Sequence, residues 1–258
     1  MRVNALVLAG APNEGKLKEC SAAPFEALVP IKGRPMIRYV VDALRGSKAV
    51  EQVVVVGPVA ELTPVVEGDG LRLVAPVGNI IDNALEGIRA LPRDKKVLVA
   101  TADIPLITAG MIDGFLDLCS RRDADFYYPI IERRLAEERF PNVKRTYVPI
   151  REGVFTGGNV VLLEPDAALR SADRARRFID YRKSPLKMAS ILGWGFLFRL
   201  VTKSLSVPDL EVKISRLFDL RGVAVFCPYP EIGVDVDKPS DLELAEAVMA
   251  TAQPARAS

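Results

Sequence analysis

Three short segments carry the residues best suited to chemistry. The loop Gly10-Ala11-Pro12-Asn13-Glu14-Gly15-Lys16-Leu17 follows the apolar run Val3-Asn4-Ala5-Leu6-Val7-Leu8-Ala9. Asp103 lies just past the apolar run over 96–101, in Thr101-Ala102-Asp103-Ile104-Pro105-Leu106. Asp235 and Asp237 close the run over 232–236, just before Pro239. A glycine-bearing loop after a buried strand brings backbone N–H groups to a sheet edge, where they can hold an anion such as a nucleotide's phosphates. The sequence has 0 histidines, which excludes a Ser-His-Asp triad, a histidine base and the common histidine-containing zinc sites. Any metal is then held mainly by carboxylates, which points to Mg²⁺ or a similar hard cation.

Charge narrows the field further. Over 258 residues the net charge is only +2, so the whole chain makes no case for nucleic-acid binding. From Arg133 to Lys187, however, 13 Lys/Arg face 7 Asp/Glu, and Arg174–Lys187 holds six basic residues against Asp180 alone. That block reads either as a solvated basic face or as a rim for a phosphorylated small substrate, with Arg182, Lys183 and Lys187 the residues to reach it. Cys20, Cys119 and Cys227 have no CxxC spacing and cannot all pair, so a reduced, cytoplasmic setting is expected. Met1-Arg2 leads straight into the first apolar run, so no leader is expected. The most apolar stretch, Met188–Val201, is too short to span a bilayer and contains Arg199, so the reading is a buried or partner-covered helix, with no membrane role and a homodimer left open.

These residues need a scaffold, and the hydrophobic pattern supplies one. Continuous apolar runs over 3–9, 52–57, 71–75 and 96–101 have the character of strands covered on both faces. Between them, Ile37/Val40/Val41/Leu44, Ile81/Ala84/Leu85/Ile88 and Ile112/Phe115/Leu116/Cys119 repeat at i, i+3, i+4, i+7, the last after a Thr108 cap. Alternating units of this kind predict a three-layer α/β fold around a mostly parallel sheet. Further strands are expected over 125–131, 145–150, 158–163, 222–226 and 232–236. The strands at 125–131 and 145–150 flank a charged segment, Glu132–Phe140. A helical block over 166–219 breaks near Pro185 and Pro208, and a last helix runs from Pro239 to about Met249. The chain thus reads as one domain over 1–251, with 166–220 as a helical insertion and 252–258 as a disordered tail.

Leu8-Ala9-Gly10, and later Ile31-Lys32-Gly33-Arg34-Pro35-Met36-Ile37, resemble the nucleotide-binding signature of the GT-A-like nucleotidyltransferases. That family includes molybdenum cofactor guanylyltransferase and methylerythritol-phosphate cytidylyltransferase. Its signature runs L-A-G-G-x-G-x-R-M, then P-K-x-L, then I-x-G-x-P-M-I at a helix start. Here Ala11 replaces the second glycine, Lys16 stands where the arginine would be, and Glu26 occupies the place of a phosphate-binding lysine. The resemblance implies a Rossmann-like sheet of the GT-A type, with Leu8, Ala9, Gly10, Ala11, Gly15 and Lys16 at the nucleotide. It further implies Mg²⁺ on Asp103 and, through the closing D-x-P-x-D-L motif, on Asp237, with Asp235 as the alternate. By itself Asp103 would also serve as a turn carboxylate, and Asp241 fits the first turn of the last helix. Asn79 and Asn83 correspond to the base-proximal segment, although Asn79 equally fits a plain N-cap. Thr156, Gly157, Gly158 and Asn159 correspond to the acceptor side, or form an ordinary turn.

The function so implied is transfer of NMP from an NTP to a small phosphorylated acceptor, with release of pyrophosphate. This chemistry relies on positioning and charge neutralisation, so it needs neither histidine nor a covalent nucleophile. Ala11 and Glu26 keep a second reading open: a catalytically weakened sensor or partner protein that binds a nucleotide or sugar phosphate. A dinucleotide oxidoreductase is disfavoured because GxGxxG is absent.

Overall fold

A computed structural model describes residues 1–66, 71–141, 143–181 and 184–252. Its centre is a nine-stranded sheet. Strands β1 (Val3–Leu8), β4 (Val50–Val56), β5 (Leu71–Val74) and β6 (Val97–Thr101) are parallel, in the order β5-β4-β1-β6. A small ribbon, β2 (Pro30–Ile31) with β3 (Arg34–Pro35), turns on Lys32 and Gly33, whose φ values of 48° and 75° suit a two-residue hairpin. Thus the Ile31–Ile37 motif is a hairpin that delivers the chain into helix α1 (Met36–Gly46).

Side-chain alternation explains the layers. Val3, Ala5 and Val7 of β1, Val53 and Val55 of β4, and Leu98 and Ala100 of β6 face one core with α1 and α4 (Ala109–Cys119). Leu6, Val54, Val56, Val97 and Val99 face the opposite core with α3 (Ile80–Arg89). Both sheet faces are therefore covered, as the unbroken apolar runs require. A short helix, α2 (Val59–Val66), links β4 to β5. Helix α3 packs so closely that a Cβ on Gly87 would lie 2.9 Å from Val56 Cγ2 and nearer still to Leu6.

Beyond β6 the order becomes mixed. β7 (Phe126–Glu132) leads into α5 (Arg133–Arg139), a helix formed by the charged segment. β8 (Val148–Ile150) pairs antiparallel with β9 (Gly153–Gly157), and β9 and β10 (Val160–Leu163) both run antiparallel to β7. The expected strand over 158–163 is thus shortened to 160–163: Gly158 and Asn159 are extra residues between the two ladders, a local bulge. After β10 come α6 (Pro165–Arg170), α7 (Ala172–Tyr181), α8 (Pro185–Leu192), α9 (Trp194–Val201) and α10 (Val207–Phe218). The chain then returns as β11 (Gly222–Phe226), parallel to β7. Both ends of this helical segment anchor on Asp125: the Glu164 N–H donates to its carbonyl at 2.7 Å, and its own N–H donates to the Arg221 carbonyl at 2.8 Å.

The expected strand over 232–236 does not form. Pro230–Gly233 is a 3-10 turn, and the segment after it touches the sheet end through single hydrogen bonds. Ile232, Val234 and Val236 alternate as in a strand because all three are buried, yet among the described residues no strand pairs with them. The last helix, α11 (Pro239–Ala252), follows; of the expected tail, 253–258 lie outside the described residues.

Candidate functional site

The carboxyl ends of β1 and β6 form one edge, and three segments converge there. The Ala102 N–H donates to the Leu8 carbonyl at 3.1 Å, and the Val236 N–H donates to the Asp103 carbonyl at 2.9 Å. Asn159 joins both sides: its N–H donates to the Ile232 carbonyl at 2.9 Å and its carbonyl accepts from Thr101 N–H at 3.2 Å. Leu8, Ala9, Ala11, Glu26, Ala27, Ala102 and Asp103 line a small cleft of about 20 Å³ at this edge. A larger cavity of about 420 Å³ lies at the opposite end of the sheet, but Lys95, Lys96 and Arg122 in its wall are already ion-paired.

The nucleotide-side loop is held by its own side chains. Buried Asn13 donates to the carbonyls of Ser21 and Ala23 at 3.0 and 2.9 Å, and the Glu26 N–H donates to the Ala11 carbonyl at 3.1 Å. Among the described residues, the N–H groups of Gly10 and Ala11 make no hydrogen bond, so they remain available to an anion. Gly15 precedes a 3-10 turn, Lys16–Glu19, in which Leu17 is buried and Lys16 is exposed, with no ion pair among the described residues. Asn79 caps α3, accepting from Ile81 and Asp82 N–H at 2.9 and 3.1 Å. Asn83 accepts from the Val77 and Gly78 N–H groups and lies beside Gly10. Both side chains therefore shape the 77–79 loop next to the nucleotide loop.

Acidic groups dominate the centre. Burial pushes the Asp103 carboxyl up to about 7, with the charges of Asp235 and Asp237 adding to the shift and a hydrogen bond from Thr101 opposing it. Asp237 sits on the solvent side; partial burial of its carboxyl, then the charges of Asp235 and Glu26, push it up to about 6. Burial also raises Glu26. Asp241 instead accepts from Asp237 N–H at 3.2 Å and pairs with Lys238, a structural place at the start of α11. Among the described residues, neither Asp103, Asp235, Asp237 nor Glu26 has an ion-pair partner. Unneutralised negative charge of this kind fits a divalent cation. Among those residues no three His, Cys, Asp or Glu side chains close a complete metal site, so phosphate oxygens and water would have to complete the shell.

One residue of this region carries no signal in the sequence. Arg145, between α5 and β8, has its Nε and Nη2 buried without a hydrogen-bond partner. Burial pushes its guanidinium below the usual arginine range, while Asp235, Tyr147 and Asp241 oppose the shift. Its Nη1 lies 2.7 Å from where a Cβ on Gly233 would stand, so only glycine there leaves it room. On the acceptor side, Thr156 is buried, and the Gly158 N–H donates to the Pro129 carbonyl at 3.2 Å. Among the described residues Asn159 is held by its backbone alone, and its side-chain amide has no partner. Lys187 is on α8, its ammonium over the Tyr181 ring at 5.2 Å. Arg182 and Lys183 fall outside the described residues.

Comparison with known proteins agrees with this architecture. A family model described as the MobA-like NTP transferase domain matches residues 23–185. A solved structure from Thermus thermophilus, described as a hypothetical transferase, superposes with a TM-score of 0.83 at 36% identity, covering 94% of this chain and 100% of that one. The chain is 26% identical to a 2-C-methyl-D-erythritol 4-phosphate cytidylyltransferase of Frankia casuarinae, over 98% of this chain and 84% of that protein. It is 23% identical to a 3-deoxy-manno-octulosonate cytidylyltransferase of Thermodesulfovibrio yellowstonii, over 88% of this chain and 93% of that protein.

Proposed function

Because the chain belongs to the MobA-like NTP transferase family, we propose that it moves a nucleotidyl group from an NTP to a small phosphorylated acceptor. An acceptor phosphate oxygen attacks the α-phosphorus, the bond to the leaving oxygen breaks, and pyrophosphate departs. The observation that carries this reading is the meeting of the free loop N–H groups with Asp103, Asp235 and Asp237 at one sheet edge. Gly10, Ala11 and Gly15, with Lys16 at the rim, receive the triphosphate. Asp103 and Asp237 hold Mg²⁺, with Asp235 as the alternate, and Glu26 adds negative charge beside them. Bound Mg²⁺ supplies charge neutralisation at the phosphates. Asn79 and Asn83 fix the loop beside the base, leaving Asn83 next to Gly10.

On the other side, Arg145 offers buried donors to the acceptor's anionic group, and Asn159 a free amide. A guanidinium without partners is costly to bury, and a phosphate would satisfy it with charge-assisted hydrogen bonds. The relatives named as cytidylyltransferases make CTP the first nucleotide to test. The test is pyrophosphate release with Mg²⁺, each NTP, and a panel of sugar and polyol phosphates. Tight Mg-NTP binding without release from any acceptor would favour the sensor reading, which Glu26 at the cleft supports.

A further inference from the structure

Helix α9 has no polar face. Phe196 and Leu200 turn inward against the cluster of Ile150, Phe155, Leu205 and Val207. Trp194, Phe198 and Val201, at i, i+4 and i+7, point outward and are 70%, 71% and 80% exposed. Its single charge, Arg199, is tied down by Asp209 and the Ser204 carbonyl. A helix that is apolar all round is normally covered on every side.

Charge identifies what covers it. Over 172–218 the sequence carries ten Lys/Arg against four Asp/Glu, a net +6 in a chain of net +2. Arg177, Lys187, Lys203 and Arg216 are exposed and form no ion pair among the described residues. A second copy meeting this segment across a twofold axis would set like charges against like, which opposes association. An exposed Trp/Phe face on a segment that carries unpaired cations instead matches the interface of an anionic bilayer. No helix among the described residues is long and apolar enough to cross a membrane, so the contact would be peripheral. We propose that helix α9 docks the protein on an anionic lipid surface, with Trp194, Phe198 and Val201 entering the headgroup layer.

Trp194 is the only tryptophan in the chain, so its emission reports the contact directly. The full-length protein is titrated with phosphatidylcholine–phosphatidylglycerol vesicles and with phosphatidylcholine vesicles, and bound protein is separated by flotation. The expected result is a blue shift and co-flotation with the anionic vesicles only, weakened by added salt. F198S/V201S keeps the reporter, should retain the wild-type melting temperature, and should partition at least about tenfold more weakly. Failure to bind anionic vesicles overturns the proposal, as does equal binding to neutral ones. Binding that survives F198S/V201S also overturns it, since adsorption would then be by charge alone. So does a blue shift that grows with protein concentration in the absence of vesicles, which would assign the face to a second copy.

Discussion

The unpartnered donors of Arg145 and the crowded carboxylates of Asp103, Asp235 and Asp237 are two halves of one arrangement. Without ligands each half carries a cost: Asp103 and Asp237 are desolvated beside like charges, and two buried Arg145 donors lack hydrogen-bond partners. Asp103→Asn removes one negative charge from the cluster while keeping the shape, so metal-free melting should shift upward. The same change should lower Mg²⁺-dependent pyrophosphate release by about a hundredfold or more, as for loss of a metal-ion contact worth several kcal/mol. A melting temperature that falls with activity intact would remove Asp103 from the metal role. Arg145→Met should likewise leave stability unchanged or raised. It should weaken the acceptor, read as KM, by roughly ten- to a hundredfold, the worth of a charge-assisted hydrogen bond. Unchanged acceptor KM would make Arg145 purely structural.

Elements fix these residues through close approaches that composition hides. Gly87→Ala would ordinarily favour a helix by about 1 kcal/mol. Here the added methyl meets Leu6 and Val56, so an overpacking cost of about 1–3 kcal/mol should outweigh that gain, and urea unfolding should show a net loss of up to about 2 kcal/mol. In α10, Arg199 and the Ser206 hydroxyl and N–H hold the Asp209 carboxyl well below the usual carboxylate range. A depressed native value means that this contribution is present above the unfolded-state pKa of about 3.9 and is lost as pH falls toward the native one. Asp209→Asn should therefore lower the melting temperature at neutral pH, with the difference shrinking in strong acid. The parallel strands were legible because both faces of β1, β4 and β6 are buried, which leaves unbroken apolar runs. The 232–236 segment has the same alternation for another reason, burial without a ladder, and sequence pattern cannot separate the two. Helix α5 is short and held by Arg133–Glu137 and Arg134–Glu138 pairs, with only Ala136 buried, so it shows no apolar stripe. Asp103 announced itself by its place after a strand. A lone arginine at 145 has no such context, and Gly233 becomes informative only once the fold sets it against that guanidinium.

At the scale of the whole molecule, burial divides the thiols. Cys119 and Cys227 are buried and pushed up to about 12 and 11, whereas Cys20 is exposed. Ellman's reagent at neutral pH should titrate one thiol promptly and all three only after denaturation. Two fast thiols in the native protein would show that the cluster shared by Cys119 and Cys227 opens readily. The helical segment divides the molecule in another way, because both its ends hang on Asp125. β10 and β11 flank β7, so the exit and return points stand only about two strand spacings apart, roughly 10 Å. A linker of a few residues spans that gap. For a genome, then, the segment is a socket: helices can be lengthened, exchanged or lost there with little closure cost to the sheet, leaving the carboxylate edge in place. Diversity among relatives should therefore concentrate in what is plugged in at Asp125, letting one transfer site be sent to different surroundings.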